Sequence, residues 1–178
     1  INNISDRNQK SYGADLQLTF SEQMFGHDNL LITGFAYIRG DSEFNSVLEL
    51  ADLDPITRST QDLGTATFVD EAATNIDTKT ETLSFYFSNT LDINQQLSLT
   101  FSGRINNTQI RLSDQSGERP ELNGEHDFFR FNPAVGLTYR HDEKINFYAG
   151  YNESSRTPTP IELACNDSVF NLAVAAAI

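Results

Sequence analysis

Alternation of apolar and polar residues, strongest between Thr82 and Ile93, is the feature that most constrains the fold. The apolar positions are Leu83, Phe85, Phe87, Leu91 and Ile93, and the positions between them are Thr82, Ser84, Tyr86, Ser88, Thr90 and Asp92. A period of two residues places these two sets on opposite faces of a β-strand. The stretch therefore predicts a strand with one apolar face and one polar face.

A second strand follows after a polar turn at residues 94–96. Its apolar residues, Leu97, Leu99, Phe101 and Ile105, alternate in the same way. A hairpin folded about Asn94 opposes Leu91 with Leu97 and puts every apolar side chain on one face of the sheet. A slip of one residue would move a whole set to the other face, so the shared face favours antiparallel pairing of these two strands.

The same alternation recurs elsewhere in the chain. It runs through Phe131–Tyr139, Ile145–Tyr151 and Tyr12–Phe20, and Leu30–Gly40 is also strand-like although its facing stays open. Many of these positions are aromatic or β-branched, which favours strands over helices. We predict an all-β fold, an antiparallel up-and-down meander of about six strands.

Short and long links alternate along this meander. About nine residues join the first two strands and about five join each later hairpin, whereas the acidic, poorly patterned links 52–79 and 113–127 are long. Barrels of the outer membrane place short turns on one side and long loops on the other. The pattern favours part of the wall of a transmembrane β-barrel. A soluble β-sheet module that binds a sugar or a protein through its Tyr-rich face is the alternative.

Charge and composition exclude several functions. A net charge of −13 argues against a nucleic-acid partner, which requires clustered Lys and Arg. The acidic run 41–81 contains Asp52 and Asp54 but lacks the spacing of a cation-binding loop. An enzyme with a pair of catalytic carboxylates needs both acids in one cleft, and the acids here concentrate in the links. We predict no catalytic residue, cofactor or metal site, and we interpret the single cysteine, Cys165, as a surface-loop residue.

Three segments near the end of the chain carry a family resemblance. They are RFNPAVGLTY at 130–139, FYAGYNE at 147–153 and SRTPTPIEL at 155–163. Together they resemble the barrel of TonB-dependent outer-membrane receptors, in which an Asn-Pro-x-x-Gly-Leu strand, a Tyr-rich strand and an Arg-x-Pro-x-x-x-Glu-Leu segment follow in this order. SGRIN at 102–106 is similar to a further strand of that family.

The resemblance implies a transport function. It implies that the intact protein takes up a scarce solute, such as a ferric siderophore, across the outer membrane of a Gram-negative bacterium. The implied partners are outer-membrane lipid, the TonB system that supplies energy, and a plug domain that fills the lumen. Residues 1–178 contain no counterpart of the plug or of the C-terminal strands, so we expect a partial barrel domain, an internal fragment of a larger barrel.

Three arginines are candidates for contact with the solute or with the plug. Arg104 and Arg130 fall on the polar face of their strands, and arginine recognises carboxylates in a bidentate manner. Pairing with carboxylates of neighbouring strands is an equally good structural role for both. Arg156 resembles a fixed arginine at the outer rim of the family's barrels. It precedes Pro158 and Pro160, which preset the backbone and remove ladder donors, so the segment predicts the exit from a strand.

Overall fold

The computed structural model describes residues 1–62 and 68–164. Its strands are β1 (Asn2–Met24), β2 (His27–Glu49), β3 (Ala51–Leu53), β4 (Thr60–Asp62), β5 (Phe68–Asp92), β6 (Leu97–Asp114), β7 (Gly124–Arg140) and β8 (Asn146–Asn152). A 3₁₀ helix at Pro120–Leu122 and a short helix α1 at Pro160–Ala164 are the helical segments of this part of the chain. Neither has the length and apolar character of a transmembrane helix. Cys165, predicted to lie in a surface loop, falls outside the described residues.

Six of the strands form one antiparallel sheet. Its spatial order is β1-β2-β5-β6-β7-β8, so each strand pairs with its neighbours along the chain, while β3 and β4 form a separate two-stranded hairpin between β2 and β5. This arrangement confirms the predicted up-and-down meander of six strands. Because every long strand in the sheet is joined to the next without a crossover, the sheet has the connectivity of a barrel wall.

The first hairpin is longer than its sequence pattern predicted. Met24 pairs with His27, so only Phe25 and Gly26 form the turn, in place of the expected link of about nine residues. Both turn residues have positive φ angles, 54° and 79°, which matches the twist that a two-residue hairpin requires. The polar residues before the turn were predicted to be loop, but backbone pairing continues through them because it does not depend on side-chain polarity.

The acidic link between the second and third long strands is also mostly strand. The expected loop at 52–79 contains the small β3–β4 hairpin and the first part of β5, which begins at Phe68. Here polar residues pair directly across the two strands, as in Lys79 opposite Asp41, and Thr78 donates its hydroxyl proton to the Ser42 carbonyl at 3.1 Å. The absence of an apolar face in this stretch hid the strand from a pattern-based prediction.

The β5–β6 register differs from the predicted one by two residues. Leu91 lies opposite Leu99, not Leu97. The reason is the turn, in which Asn94 Oδ1 accepts the backbone N–H groups of Gln96 and Leu97 at 2.8 and 2.9 Å. It leaves five residues between the last paired residues, Asp92 and Ser98. Since a shift of two residues preserves the facing of every side chain, the predicted apolar face is confirmed even though the predicted partners are wrong.

The last hairpin has the predicted facing. Arg140 pairs with Asn146, so five residues form the turn, and this odd number aligns the faces of β7 and β8. Pro133 lies inside β7 opposite Gly103 of β6, and its carbonyl accepts the Glu153 N–H at 2.9 Å, just beyond the end of β8. Proline has no N–H to donate to a neighbouring strand. The side of Pro133 on which that N–H would lie is the side where β8 ends, so the proline is accommodated there.

The sheet has one apolar face and one polar face. The apolar face carries Ala14, Leu16, Leu18 and Phe20 of β1, Phe35 and Tyr37 of β2, Leu83, Phe85, Phe87 and Leu91 of β5, Leu97, Leu99, Phe101 and Ile105 of β6, Phe129, Phe131, Val135, Leu137 and Tyr139 of β7, and Phe147 and Tyr151 of β8. These side chains are largely exposed; Leu16 exposes 62% of its surface and Leu83 55%. So large an exposed apolar surface indicates contact with lipid or protein.

A small buried cluster lies at the opposite end from the short turns. Ile76, Ile110 and Leu112 project from the polar side of β5 and β6, and Leu122 of the 3₁₀ helix packs on them. Leu163 of α1 also contacts this cluster. The connections at this end thus fold back over the polar face and bury these four apolar side chains.

Candidate functional site

Cross-strand hydrogen bonds cover the polar face between β5 and β6. Four side-chain pairs face each other there: Thr82 with Thr108 at 2.9 Å, Ser84 with Asn106 at 2.7 Å, Ser88 with Ser102 at 2.7 Å, and Thr90 with Thr100 at 3.0 Å. Paired hydroxyls of this kind stabilise a sheet face that is in contact with water. The face is therefore an ordered polar surface of mostly uncharged side chains.

A cavity of about 650 Å³ opens on this face, and two arginines line it. We call it the arginine cavity; it is bounded by Arg104, Arg130, Thr108, Asn132, Ser155 and Thr157. The segment that follows β8 forms one of its walls, and there Ser155 donates its hydroxyl proton to Asn132 Oδ1 at 3.0 Å. The two arginines come from adjacent strands, with Arg130 directly opposite Asn106 in the register.

Neutral groups hold the guanidinium of Arg104. Its Nε donates to Asn106 Oδ1 at 2.9 Å, and its Nη2 donates to Ser84 Oγ at 3.1 Å. The guanidinium carbon also lies 5.9 Å from the centre of the Tyr86 ring, within the range of a cation–π interaction. These contacts orient the group and leave its positive charge without a countercharge.

The two cavity arginines differ in this respect from arginines on the apolar side of the sheet. Arg39 lies 3.2 Å from Asp41 and 3.5 Å from Glu81, and Arg111 lies 3.3 Å from Glu125. Within residues 1–62 and 68–164, no carboxylate lies within ion-pair distance of Arg104 or Arg130. Glu153 also lines the cavity, but it lies beyond ion-pair distance of both arginines. Two arginines against one carboxylate give this lining a net positive charge in a chain of net charge −13, so the cavity favours an anionic group.

Arg156 lies apart from the other two arginines. Its Nη1 and Nη2 donate to the two carboxylate oxygens of Glu162 at 2.8 and 2.6 Å. Glu162 also accepts the Thr159 N–H at 2.7 Å, and the Thr159 hydroxyl accepts the Glu162 N–H at 3.3 Å. This is a capping box with Pro160 at the first helical position, and Arg156 closes it from outside. The structure thus brings Arg104 and Arg130 together and gives Arg156 a partner within its own segment.

The pKa of Glu162 reflects this clamp. The hydrogen bonds from Arg156, together with those from Thr159, lower the pKa of the Glu162 carboxyl to about 2. The carboxylate therefore stays ionised far below neutral pH. The Thr159-Pro160-Ile161-Glu162 sequence is itself a signal for a capping box, so the contact between Thr159 and Glu162 was accessible from sequence.

Three contributors to the site were not predicted from the sequence. Tyr86 reaches across the sheet with its hydroxyl 3.2 Å from Asp15 Oδ1 and 3.3 Å from Gln17 Oε1. The available signal was position 86 itself, where an aromatic residue interrupts a run of Ser and Thr on the polar face. Asp15 and Gln17 carry no comparable signal, because only the fold brings β1 near Tyr86.

Metal binding has no support in the described residues. Within residues 1–62 and 68–164, no group of three or more His, Cys, Asp or Glu side chains is arranged to hold a metal ion. Asp54, considered above as part of a cation site, instead accepts the backbone N–H groups of Ile56 and Thr57 at 2.8 and 3.2 Å. These bonds lower the pKa of the Asp54 carboxyl and stabilise the tip of the β3–β4 hairpin.

Comparison with known proteins identifies the fold. The family model for the TonB dependent receptor-like β-barrel matches residues 1–175. The ferric-catecholate import receptor Fiu from E. coli K12, in its open form, is similar with a TM-score of 0.65 and 18% identity, covering 88% of this chain and 26% of Fiu. The ferric citrate transporter FecA in its unliganded form is similar with a TM-score of 0.61 and 13% identity, covering 83% of this chain and 20% of FecA.

Both similar proteins are much longer than this chain. This chain spans about a quarter of the length of Fiu and a fifth of that of FecA. At identities below 20% the likeness concerns the fold, a stretch of barrel wall. A search of curated proteins found no match.

Proposed function

Since this chain belongs to the TonB-dependent receptor-like β-barrel family, we propose that it forms part of the wall of a receptor that takes up an iron complex across the outer membrane. The observation that carries the proposal is the two-sided sheet, with an exposed apolar face and a polar face that bears the arginine cavity. Barrels of this family are outer-membrane proteins of Gram-negative bacteria, and we assign the chain to that location.

The dimensions of the apolar face support a position in a bilayer. Along β6 the apolar positions run from Leu97 to Ile105. Eight residue steps of about 3.4 Å, on a strand tilted by about 40°, span roughly 20 Å along the membrane normal, close to the band of about 25 Å of such barrels. Polar and charged pairs such as Arg39 opposite Glu81 begin where this band ends. A soluble module would have to cover this face with protein.

The polar face then faces the lumen. On that assignment Arg104 and Arg130 contact an anionic solute or carboxylates of a domain inside the barrel. Arginine suits both roles, because a charge-assisted hydrogen bond to a carboxylate is stronger than a neutral one. Arg156 holds its own segment in place at the rim through Glu162, and its contact with solute or plug stays a prediction.

We propose that the intact protein adds further strands that complete the barrel, together with a plug domain in its lumen, and that TonB supplies the energy for uptake. The function is transport without bond chemistry. Ferric catecholates and ferric citrate are the first solutes to test, because these are the solutes named for the two similar structures.

The test is uptake by the complete gene product in a Gram-negative host that lacks its own ferric receptors. Iron-55 is supplied as ferric citrate or as a ferric catecholate, with and without a protonophore that abolishes the energy supply. We expect energy-dependent uptake of one complex and recovery of the protein in the outer-membrane fraction. A protein that fractionates as soluble, or that takes up neither complex, overturns the proposal.

Arginine variants locate the site within that experiment. R104Q and R130Q each remove one charge from the cavity, and R140Q removes one at the turn end of β7, remote from the cavity. Loss of a charge-assisted hydrogen bond lowers apparent affinity about tenfold or more. We expect that loss for the two cavity variants and unchanged uptake for R140Q.

A further inference from the structure

We propose that Tyr86 is a positioning residue that holds the guanidinium of Arg104 at the opening of the arginine cavity. This inference rests on the proposed function, because it gives Arg104 its role toward an anionic group. Tyr86 itself contacts neither the solute nor a reacting atom in this scheme. It acts through the side chain of Arg104, which lies on the neighbouring strand.

The ring of Tyr86 makes the contact that positions Arg104. The Arg104 guanidinium carbon lies 5.9 Å from the ring centre, and the same guanidinium donates to Ser84 and Asn106. An arginine on a flat, wet sheet face ordinarily samples many rotamers, at an entropic cost for any bound state. The ring and the two acceptors restrict Arg104 to one orientation without neutralising its charge.

The hydroxyl of Tyr86 makes a second contact, which holds the ring itself in place. It lies 3.2 Å from Asp15 Oδ1 and 3.3 Å from Gln17 Oε1, so its single proton can be donated to either oxygen. Both acceptors are on β1, two strands away from Tyr86. The ring is thereby tied at its far end and cannot swing away from the sheet, which keeps the surface under Arg104 fixed.

Gly34 makes this long reach possible. It lies directly between Tyr86 and Gln17 in the register of the sheet. A Cβ atom at position 34 would lie 2.5 Å from the Tyr86 hydroxyl oxygen and 2.6 Å from the adjacent ring carbon. The tyrosine therefore occupies the space that the missing side chain leaves. Asp15, Tyr86 and Arg104 thus form a continuous series of side-chain contacts across four strands.

The charged groups near these three residues are compatible with a positioning role for Tyr86. Asp15 accepts the Tyr86 hydroxyl proton and lies beyond ion-pair distance of Arg104 and Arg130. Arg130, in the same cavity, has no aromatic ring beneath it among the described residues. The two arginines therefore differ in restraint, and Arg130 serves as an internal reference for any measurement on Arg104.

The test measures the reactivity of individual arginines with phenylglyoxal, a reagent selective for guanidinium groups. The complete gene product in outer-membrane vesicles is treated and the modified arginines are quantified by mass spectrometry. The variants are Y86L, which removes the ring, and Y86F, which removes only the hydroxyl. Y86F retains the ring volume and keeps the test possible if Y86L does not assemble.

We expect Arg104 to react about two- to fivefold faster in Y86L, the factor that corresponds to an exposed cation–π contact, and less than that in Y86F. Arg130 and Arg140 should keep their wild-type rates. Equal rates for Arg104 in all proteins, including no reaction in any, overturn the proposal. It is also overturned if Arg130 changes by the same factor as Arg104, because Tyr86 would then act on the wall as a whole.

A second measurement tests whether the contact between Tyr86 and Arg104 affects uptake. If Tyr86 acts through Arg104, Y86L lowers uptake of the transported complex in the wild-type background but not in the R104Q background. Additive losses overturn the proposal. If the wild-type protein takes up neither ferric complex, the proposed function fails, and the reactivity of Arg104 still decides whether Tyr86 positions it.

Discussion

Tyr86 of β5 donates its hydroxyl proton to Asp15 of β1, with 3.2 Å between the two oxygens, by lying over a glycine of the intervening strand β2. This contact joins three strands on the polar face at the level of the arginine cavity. It also means that the position of the Tyr86 ring requires a glycine at position 34.

The first prediction concerns that glycine. G34A places a Cβ atom 2.5 Å from both the Leu16 carbonyl oxygen and the Tyr86 hydroxyl oxygen, so backbone and ring must shift. We expect a loss of about 1–3 kcal/mol in the free energy of unfolding, typical of overpacking. G40A on the same strand meets nothing within 4 Å and should remain close to wild type. Urea unfolding of both variants checks this; equal stabilities would contradict it.

The second prediction concerns acid. The pKa of Glu162 is about 2 in the folded clamp and 4.5 as its ordinary value, so folding favours the ionised form. The stabilisation is therefore complete above about pH 4.5 and is lost as the pH falls toward 2. A spin label at position 161 should become mobile across that range. In E162Q the label should be mobile already at neutral pH, and a pH-independent wild-type label would refute the assignment.

A third prediction concerns the buried cluster at the loop end. Leu122 exposes 5% of its surface and packs on Ile110 and Leu112. L122A leaves a cavity and should lower the free energy of unfolding of this region by about 2–4 kcal/mol. The matched control is L53A, whose leucine exposes 66% of its surface and should change stability by less than about 0.5 kcal/mol. Local hydrogen exchange at 110–124 provides the measurement.

A fourth prediction separates the two faces of the wall. Phe85 lies on the apolar face, with its ring centre 4.9 Å from that of Phe35. F85R should cost about 2–4 kcal/mol in a lipid-facing position near the bilayer midplane. S88R, on the polar face of the same strand, should assemble with a much smaller loss. Urea unfolding in vesicles compares them, and a larger loss for S88R would invert the assignment of the faces.

Much of the fold follows from the sequence because side-chain facing depends only on local alternation. Phe85 and Ile105 were assigned to one face before their pairing was known, and the sheet places them opposite each other on that face. The ends of strands are less predictable. Lys79 and Asp41 lie in paired strands, yet their stretches lack an apolar face and were predicted to be loop.

The candidate site was predicted only in part. Arg104 and Arg130 were chosen because they interrupt the polar face of recognisable strands, and the structure brings them to one cavity. Their roles toward a solute or a plug remain predictions. Arg156 was chosen on resemblance, and the structure pairs it with Glu162 six residues further along the chain.

The sequence by itself determined which side chains share a face, where the chain turns and that the fold is a meander, because these properties depend on a period of two and on turn residues. The local turn at Asn94 set the register of β5 and β6, which alternation by itself did not resolve. Tertiary structure alone decided the length of the strands beyond the apolar band and the reach of Tyr86 to Asp15. Those features depend on contacts between residues as far as 71 positions apart, which no local pattern encodes.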